Sequence, residues 1–252
     1  MDPYAPLAAA YDTLTAEHDY DRWLHVIERE ARDAGLAGAR LLDVACGSGS
    51  SFLPLVGRYD ITGCDLSAAM LDQARRRVNG RRVRLLQHDM RTLPALGEFD
   101  LVLCLDDALN HLLDPADVRD ALAGIAANLA RNGVAVFDLN TLATLRVDYS
   151  TAGATEDARH LVLWRGESDA DLRPRGRATA RVDVLSKTHD FYVRQTTRID
   201  ERHHPVEDVM ATLDGVGLRL VRCLGQQTGV RMSPHVDELT HTKALFVVRR
   251  AA

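Results

Sequence analysis

Tyr20, Trp23, Leu24, Ile27 and Ala31 recur at steps of three, one, three and four, which places them on one face of a helix that Gly35 is suited to end. From Arg40 onward, short apolar runs alternate with helical stretches. Leu41–Val44, Asp60–Cys64, Val83–Leu86, Phe99–Leu105 and Val134–Phe137 read as five strands. Ser67 suits the cap of the helix after the second strand, whose Met70, Leu71, Ala74 and Val78 share a face. Asp114 and Pro115 open a longer helix in which Val118, Leu122, Ile125 and Leu129 line up, with Asn132-Gly133 as its stop. The stretch HDMRTLPALGE between the third and fourth strands is too short and too interrupted for a helix. Strands alternating with helices imply a parallel sheet covered on both faces, hence an α/β protein.

The period changes after Asn140. Leu161–Trp164 reads as a strand, and Ala178–Leu185 and Phe191–Ile199 alternate in and out, with Phe191, Val193, Gln195, Thr197 and Ile199 on one face. Two such runs joined by Ser186–Asp190 make a hairpin. Residues 141–203 are therefore expected to be an antiparallel insertion and not a separate domain. Pro205–Leu213 is helical again and ends at Gly215 and Gly217, and Leu218–Leu224 and Ala244–Val248 supply two last strands.

Composition narrows the class of protein. The 252 residues are 46% hydrophobic and 27% charged, near the globular average, so disorder and fibrous folds are excluded. No apolar run reaches the about 18 residues of a membrane span, and no basic segment opens a secretory signal. A net charge of −5 disfavours a nucleic-acid partner. Cysteines at 46, 64, 104 and 223 form no C-x-x-C pair and fit no zinc pattern, so no metal is expected. Each lies in or beside an apolar run, as a reduced thiol in a cytoplasmic protein would.

The candidate chemistry starts at Leu41-Leu42-Asp43-Val44-Ala45-Cys46-Gly47-Ser48-Gly49. A strand running into a glycine turn that opens a helix lets a ligand approach the backbone closely. A G-x-G alone is weak, and the third glycine of the dinucleotide fingerprint is replaced by Phe52. Asp43 before the loop suits a cationic ligand better than a pyrophosphate. Asp65 follows 16 residues after Gly49 at the end of the second strand, where an acid in such folds accepts the ribose hydroxyls. Asp89, at the end of the third strand, is placed to accept from an adenine amino group. Singly, Asp65 reads equally well as a helix cap and Asp89 as part of a solvated turn. The order and spacing of all three at the carboxyl ends of neighbouring strands point to a ligand.

The runs LLDVACGSG, TGCDLSAAML, QHDM, FDLVLCLDDALNHL and NGVAVFDLN resemble the class I S-adenosylmethionine-dependent methyltransferases. More narrowly the chain is similar to small-molecule methyltransferases of bacterial metabolism, which often begin with a Y-D…Y-D-x-W segment. Here that segment is Tyr11-Asp12 and Tyr20-Asp21-Arg22-Trp23. The resemblance covers about residues 40–140 and continues more weakly to the end, including D-E-R-H at Asp200–His203. It implies a doubly wound, seven-stranded, mostly parallel Rossmann-like sheet whose last pair is antiparallel. In this single domain 1–36 form a helical lid, 37–140 the cofactor core, 141–203 an antiparallel insertion over the active site, and 204–252 the last helix and strands.

The resemblance also implies roles. Ala45, Gly47 and Gly49 would pass the backbone under the methionine part of S-adenosylmethionine, with Asp43 near its ammonium. Asp65 would hold the ribose, and Leu66 and Met70 would flank the adenine. Asp89 and the Met90 backbone would read the adenine edge. Leu105, after the fourth strand, would offer a carbonyl to the amino group. Tyr11, Tyr20 and Trp23 would close over the cofactor. Two departures stand out. Ser48 replaces a common threonine but keeps the hydroxyl, whereas His111 stands where close relatives often have tyrosine.

Methyl transfer requires a nucleophile about 3 Å from the methyl, in line with the leaving sulfur. A hydroxyl acceptor also needs a base, commonly histidine. The candidates are Asp106, Asp107, Asn110 and His111 after the fourth strand, and Asp200-Glu201-Arg202-His203-His204 at the end of the hairpin. His111, Asp106 and His203 lead that set, although a packed histidine, an orienting acid and a residue before Pro205 are the plainer readings. Arg75, Arg76, Arg77, Arg81 and Arg82 suit a solvated helix end. Arg173, Arg175, Arg177 and Arg181 read as a charged hairpin, with an anionic substrate as the alternative. The expected function is methyl transfer from S-adenosylmethionine to an oxygen or nitrogen of a small metabolite, leaving S-adenosylhomocysteine. A tRNA methyltransferase, a nicotinamide-dependent oxidoreductase and a repurposed cofactor-binding protein are its rivals.

Asp65→Ala is expected to weaken S-adenosylhomocysteine binding by more than about 1.4 kcal/mol, because charge-assisted hydrogen bonds are lost. Calorimetry on the folded variant checks this, and unchanged affinity contradicts the ribose assignment.

Overall fold

The computed structural model describes residues 2–251. In chain order the elements are α1 (Tyr11–Leu14), α2 (Tyr20–Asp33), β1 (Arg40–Val44), β2 (Asp60–Asp65), α3 (Ala68–Val78), β3 (Val83–Gln87), β4 (Phe99–Cys104), α4 (Pro115–Asn128) and β5 (Leu129–Asn140). They continue as α5 (Leu142–Asp148), β6 (Ala152–Glu156), β7 (His160–Gly166), β8 (Arg177–Lys187), β9 (Tyr192–Arg202), α6 (Val206–Leu213), β10 (Leu218–Gln227), β11 (Arg231–Ser233) and β12 (Lys243–Arg250). Both expected caps form: Ser67 accepts from the Met70 amide and Asp114 from the Ala116 amide, each satisfying an orphan donor of a first turn.

The main sheet has the order β11-β10-β12-β5-β4-β1-β2-β3. β1 to β5 run parallel, while β12 pairs antiparallel with both β5 and β10. The seven expected strands are all there, and the three-residue β11 adds an eighth at the edge. Alternation sends Val102 and Cys104 to one face with α4 and α6, and Leu101 and Leu103 to the other with α2 and α3. Phe137 and Phe246, opposite each other on β5 and β12, stack at 4.9 Å between ring centroids. Burial on both faces explains why the strands read as near-continuous apolar runs.

A second, antiparallel sheet has the order β6-β7-β8-β9. Ala178, Ala180, Val182 and Val184 of β8 face inward with Ile199 of β9. They pack against Leu7 and Ala10 of the N-terminal segment and Leu145 and Tyr149 of α5. Only the C-terminal half of the expected β9 face is covered, and Phe191, Val193 and Gln195 stand exposed.

Two local expectations fail for identifiable reasons. The glycine loop does not open an α-helix: Pro54 and Gly57 interrupt the segment, which makes only the 3-10 turn Leu53–Leu55. Helix α4 stops at Asn128, so Leu129 is the first residue of β5, paired with Phe99, and Asn132-Gly133 lies within that strand. The stop follows from the fully buried Asn128 side chain, which accepts from Leu96 N at 2.7 Å and donates to Pro94 O and Gly124 O, each at 2.9 Å. Besides these, α5, β6 and β11 are short elements that the sequence reading did not anticipate.

Asn128→Ala leaves the Leu96 amide and the Pro94 carbonyl unpaired inside the protein, and is expected to cost about 2–3 kcal/mol of stability. Urea unfolding measures this, and a loss under about 0.5 kcal/mol would contradict the role given to Asn128.

Candidate active site

The carboxyl ends of β1 to β4 open into a cavity of about 970 Å³, roofed by residues 2–6 and α1 and walled by Thr196–Asp200 of β9. That is the upper end of the size range of small-molecule sites. One end is built by the loop after β1. Ala45, Gly47 and Gly49 have φ of 57°, 53° and 90°, a left-handed path that turns the backbone sharply beneath the cavity. A Cβ on Gly49 would lie 2.7 Å from the ring of Phe52, which is completely buried under the loop. The aromatic ring thus fills the space under the loop, and glycine is required above it.

Asp65 supports the loop from β2. Its carboxylate accepts from the Gly47 and Ser67 amides, both at 2.8 Å, and it still faces the cavity. Asp43 lies deeper and does not line the cavity. Its Oδ2 accepts from Ser51 Oγ at 2.5 Å, but Oδ1 is buried without a partner. Burial, reinforced by Asp65, pushes the Asp43 carboxyl up to about 7. Leu66, Met70, Met90 and Leu105 line the cavity as expected. Asp89 lines it too, although Arg91 holds its carboxylate in a fork at 3.0 and 2.5 Å and keeps its pKa below the usual carboxylate range.

The roof is tied to the floor at defined points. Tyr20 and Tyr11 donate to Asp106 Oδ2 at 2.7 and 3.4 Å. Asp12 pairs with Arg77 of α3, whose other nitrogen donates to Ser50 Oγ in the glycine loop at 2.7 Å. Trp23 does not reach the cavity; it packs in the core behind Tyr20, with Lys243 Nζ 5.7 Å from its ring.

Beneath the other end of the cavity lies a cluster of acids, of which Asp106 lines the cavity itself. Asp106 and Asp107, just after β4, both have left-handed φ, 63° and 55°, strained for residues other than glycine. Their amides donate to the two oxygens of Asp138, which is fully buried on β5, at 2.7 and 3.1 Å. Lys243 donates to Asp107 at 2.6 Å and to Asp138 at 2.8 Å, and lies 3.6 Å from Asp106. Burial drives Asp138 up to about 6 even against Lys243. Burial opposes the charge on Asp107 too, but there Lys243 and His111 win and lower it. Burial and then Asp107 push Glu201 well up, although Tyr149 donates to it at 2.6 Å and Asn140 at 3.0 Å. His111 faces the cavity between Tyr4, whose hydroxyl is 2.8 Å from Nε2, and the Asp200 carbonyl, 3.2 Å from Nδ1.

Sequence reasoning brought Asp106, Asp107, His111 and Glu201 into view but not Tyr4, Asp138, Tyr149 or Lys243. Asp138 and Lys243 did leave a signal, each a charged residue flanking an apolar strand run. Tyr4 left none. His203, an expected catalytic candidate, lies outside the cavity: it is buried, with Nε2 3.0 Å from Glu238 and Nδ1 accepting from the Arg175 amide. None of Arg173, Arg175, Arg177 and Arg181 lines the cavity, and Arg175 and Arg181 are paired with Asp208 and Asp183. Asp107, His111 and Glu201 bring ligand-type atoms within 4.8 Å of one another, but Lys243 on Asp107 already supplies a cation there.

A family profile described as a methyltransferase domain matches residues 41–133. A relative named as a methyltransferase, YqeM of Bacillus subtilis (strain 168), is 30% identical over 251 residues, covering 94% of each chain. A crystal structure of an S-adenosylmethionine-dependent methyltransferase from Clostridium acetobutylicum ATCC 824 shares the fold, with a TM-score of 0.81 at 23% identity over the whole of both chains. CalS10, an amino pentose methyltransferase of Micromonospora echinaspora solved with S-adenosylmethionine bound, gives 0.73 at 25% identity, over 96% of this chain and 95% of its own. The chain belongs to the class I S-adenosylmethionine-dependent methyltransferases. The residues present fit that cofactor: the Asp65 carboxylate lines a backbone cradle, with the unpartnered Asp43 oxygen buried beneath the loop, an arrangement suited to a ligand with a cationic amino acid end and a ribose.

Because Asp43 titrates higher in the fold than in an open chain, its contribution to stability is lost as pH rises through about 7. The melting temperature of ligand-free Asp43→Asn relative to wild type is therefore expected to become more favourable from pH 5 to pH 8. A constant difference contradicts the buried, unpartnered carboxylate.

Proposed function

We propose that the protein transfers a methyl group from S-adenosylmethionine to an oxygen or nitrogen of a small-molecule metabolite. The observation that carries this reading is one continuous cavity holding both a nucleoside cradle and a second end lined by Tyr4, Asp106, His111 and Asp200. The cofactor supplies a methyl carbon activated by its sulfonium. Asp65 holds the ribose, Leu66 and Met70 flank the adenine, Asp89 and the Met90 backbone read its edge, and Leu105 offers its carbonyl. Asp43, Ala45, Gly47 and Gly49 serve the methionine part, Asp43 from beneath the loop. Tyr11 and Tyr20 roof the site, and Trp23 supports Tyr20 from behind.

The protein's task is then to exclude water and to aim the acceptor at the methyl. Acidic groups at the acceptor end favour a basic nitrogen over an anionic substrate, and the amino sugar substrate of CalS10 supports the same direction. The four free cysteines, three of them buried, support a reducing cytoplasmic setting. No helix among the described residues is long and apolar enough to cross a membrane.

The test has two parts. Calorimetric titration is expected to show micromolar binding of S-adenosylhomocysteine and none of NAD. Incubation with methyl-labelled S-adenosylmethionine and a panel of amino sugars, amino acids and phenols is expected to give a labelled N- or O-methyl product by mass spectrometry. Binding without any product contradicts the transfer reading, and binding of NAD alone overturns the cofactor.

A further inference from the structure

The hydrogen bonds of His111 fix its tautomer. Nδ1 lies 3.2 Å from the Asp200 carbonyl, which only accepts, so Nδ1 carries the proton of the neutral ring. Nε2 therefore presents a lone pair, and Tyr4 Oη, 2.8 Å away, donates to it. Tyr4 is firmly set: its amide donates to Asp2 at 2.9 Å, Thr197 donates to the Pro3 carbonyl at 2.9 Å, and its ring stands edge-on to His111 and Tyr11. The phenol oxygen has no other hydrogen-bond partner among the described residues, and Tyr4 lines the cavity beside His111. Asp107 and Glu201 lie 3.9 and 4.0 Å from the same Nε2, beyond hydrogen bonding, and the Asp107 carboxylate is near enough to stabilise an imidazolium.

We propose that Tyr4 is a catalytic residue that passes the acceptor's proton to His111. As the bond between the methyl carbon and the acceptor forms and the donor's carbon–sulfur bond breaks, positive charge moves to the acceptor. The acceptor's proton goes to Tyr4 Oη while the phenolic proton goes to His111 Nε2. Tyr4 ends as it began, a neutral phenol. The donor loses one positive charge and the imidazole gains one, so the site's net charge is unchanged. Burial, together with Tyr11, Asp107, Glu201 and Asp106, holds the Tyr4 phenol well above its usual range, which favours a concerted hand-over without a phenolate. The groups that face His111 are Tyr4 above it, Asp107 on its own loop, Glu201 and the Asp200 carbonyl on β9, with Lys243 behind Asp107.

The inference rests on the methyl-transfer reading and is tested with whichever acceptor in the panel is methylated. Tyr4→Phe keeps the ring and its packing. Its kcat is expected to fall about 100-fold, within the range for general acid–base catalysis, with the acceptor KM and the S-adenosylhomocysteine Kd within threefold of wild type. The proton inventory in mixed light and heavy water is expected to show two protons in flight for wild type and fewer for the variant. A Tyr4→Phe kcat equal to or above wild type overturns the relay and leaves methyl transfer standing. Should that variant fail to bind S-adenosylhomocysteine, the wild-type inventory decides alone, and a single proton overturns the relay. A wild-type protein that methylates none of the panel overturns the relay together with the reading beneath it.

Discussion

The Asp138 carboxylate is the interaction on which the acceptor end depends. It accepts both the Asp106 and Asp107 amides, and so stabilises two consecutive left-handed residues at the end of β4. Such a turn costs of order 1–3 kcal/mol per strained residue and persists only where the surroundings over-determine it. A buried anion would itself be costly, and Lys243 of β12 offsets that cost by donating to Asp138 and Asp107 together. Strands β4, β5 and β12 lie side by side in the sheet, so the clamp is a product of strand order.

The turn decides what the cavity sees. It projects Asp106 upward to receive Tyr20 and Tyr11, which closes the roof, and starts the 3-10 turn Ala108–His111 that carries the imidazole. The second sheet completes the arrangement from the opposite side, through the Asp200 carbonyl on His111 and Glu201 beneath it. The N-terminal segment belongs to both, since Leu7 and Ala10 are buried in the second sheet's core while Tyr4 reaches His111. Roof, imidazole and second sheet thus form one packed unit.

The cofactor end was legible in the sequence because its requirements are local. A strand followed by Ala45–Gly49, and single acids at fixed strand ends, are short-range patterns, and Ala45, Gly47, Asp65, Met70 and Leu105 do meet in one cavity. Trp23, Asp43 and Gly49 fell short of the cavity because period and position locate a residue on an element, not the depth to which neighbours bury it. The acceptor end was less legible because its contacts join distant parts of the chain. Lys243 and Asp107, or Tyr4 and His111, are more than a hundred residues apart and meet only through strand order and the packing of the second sheet. His203 misled for a related reason: its ring satisfies Glu238 and the Arg175 amide, partners that no local pattern reveals.

If this clamp is what presents the acceptor side, it must matter to turnover more than any surface charge. Asp138→Asn preserves shape but turns one acceptor oxygen into a donor facing the loop amides and Lys243. The decisive measurement is the methyl-transfer rate of the folded Asp138→Asn protein beside wild type. A fall of at least about tenfold, or 1.4 kcal/mol in barrier, is the predicted result, and a wild-type rate would contradict the account.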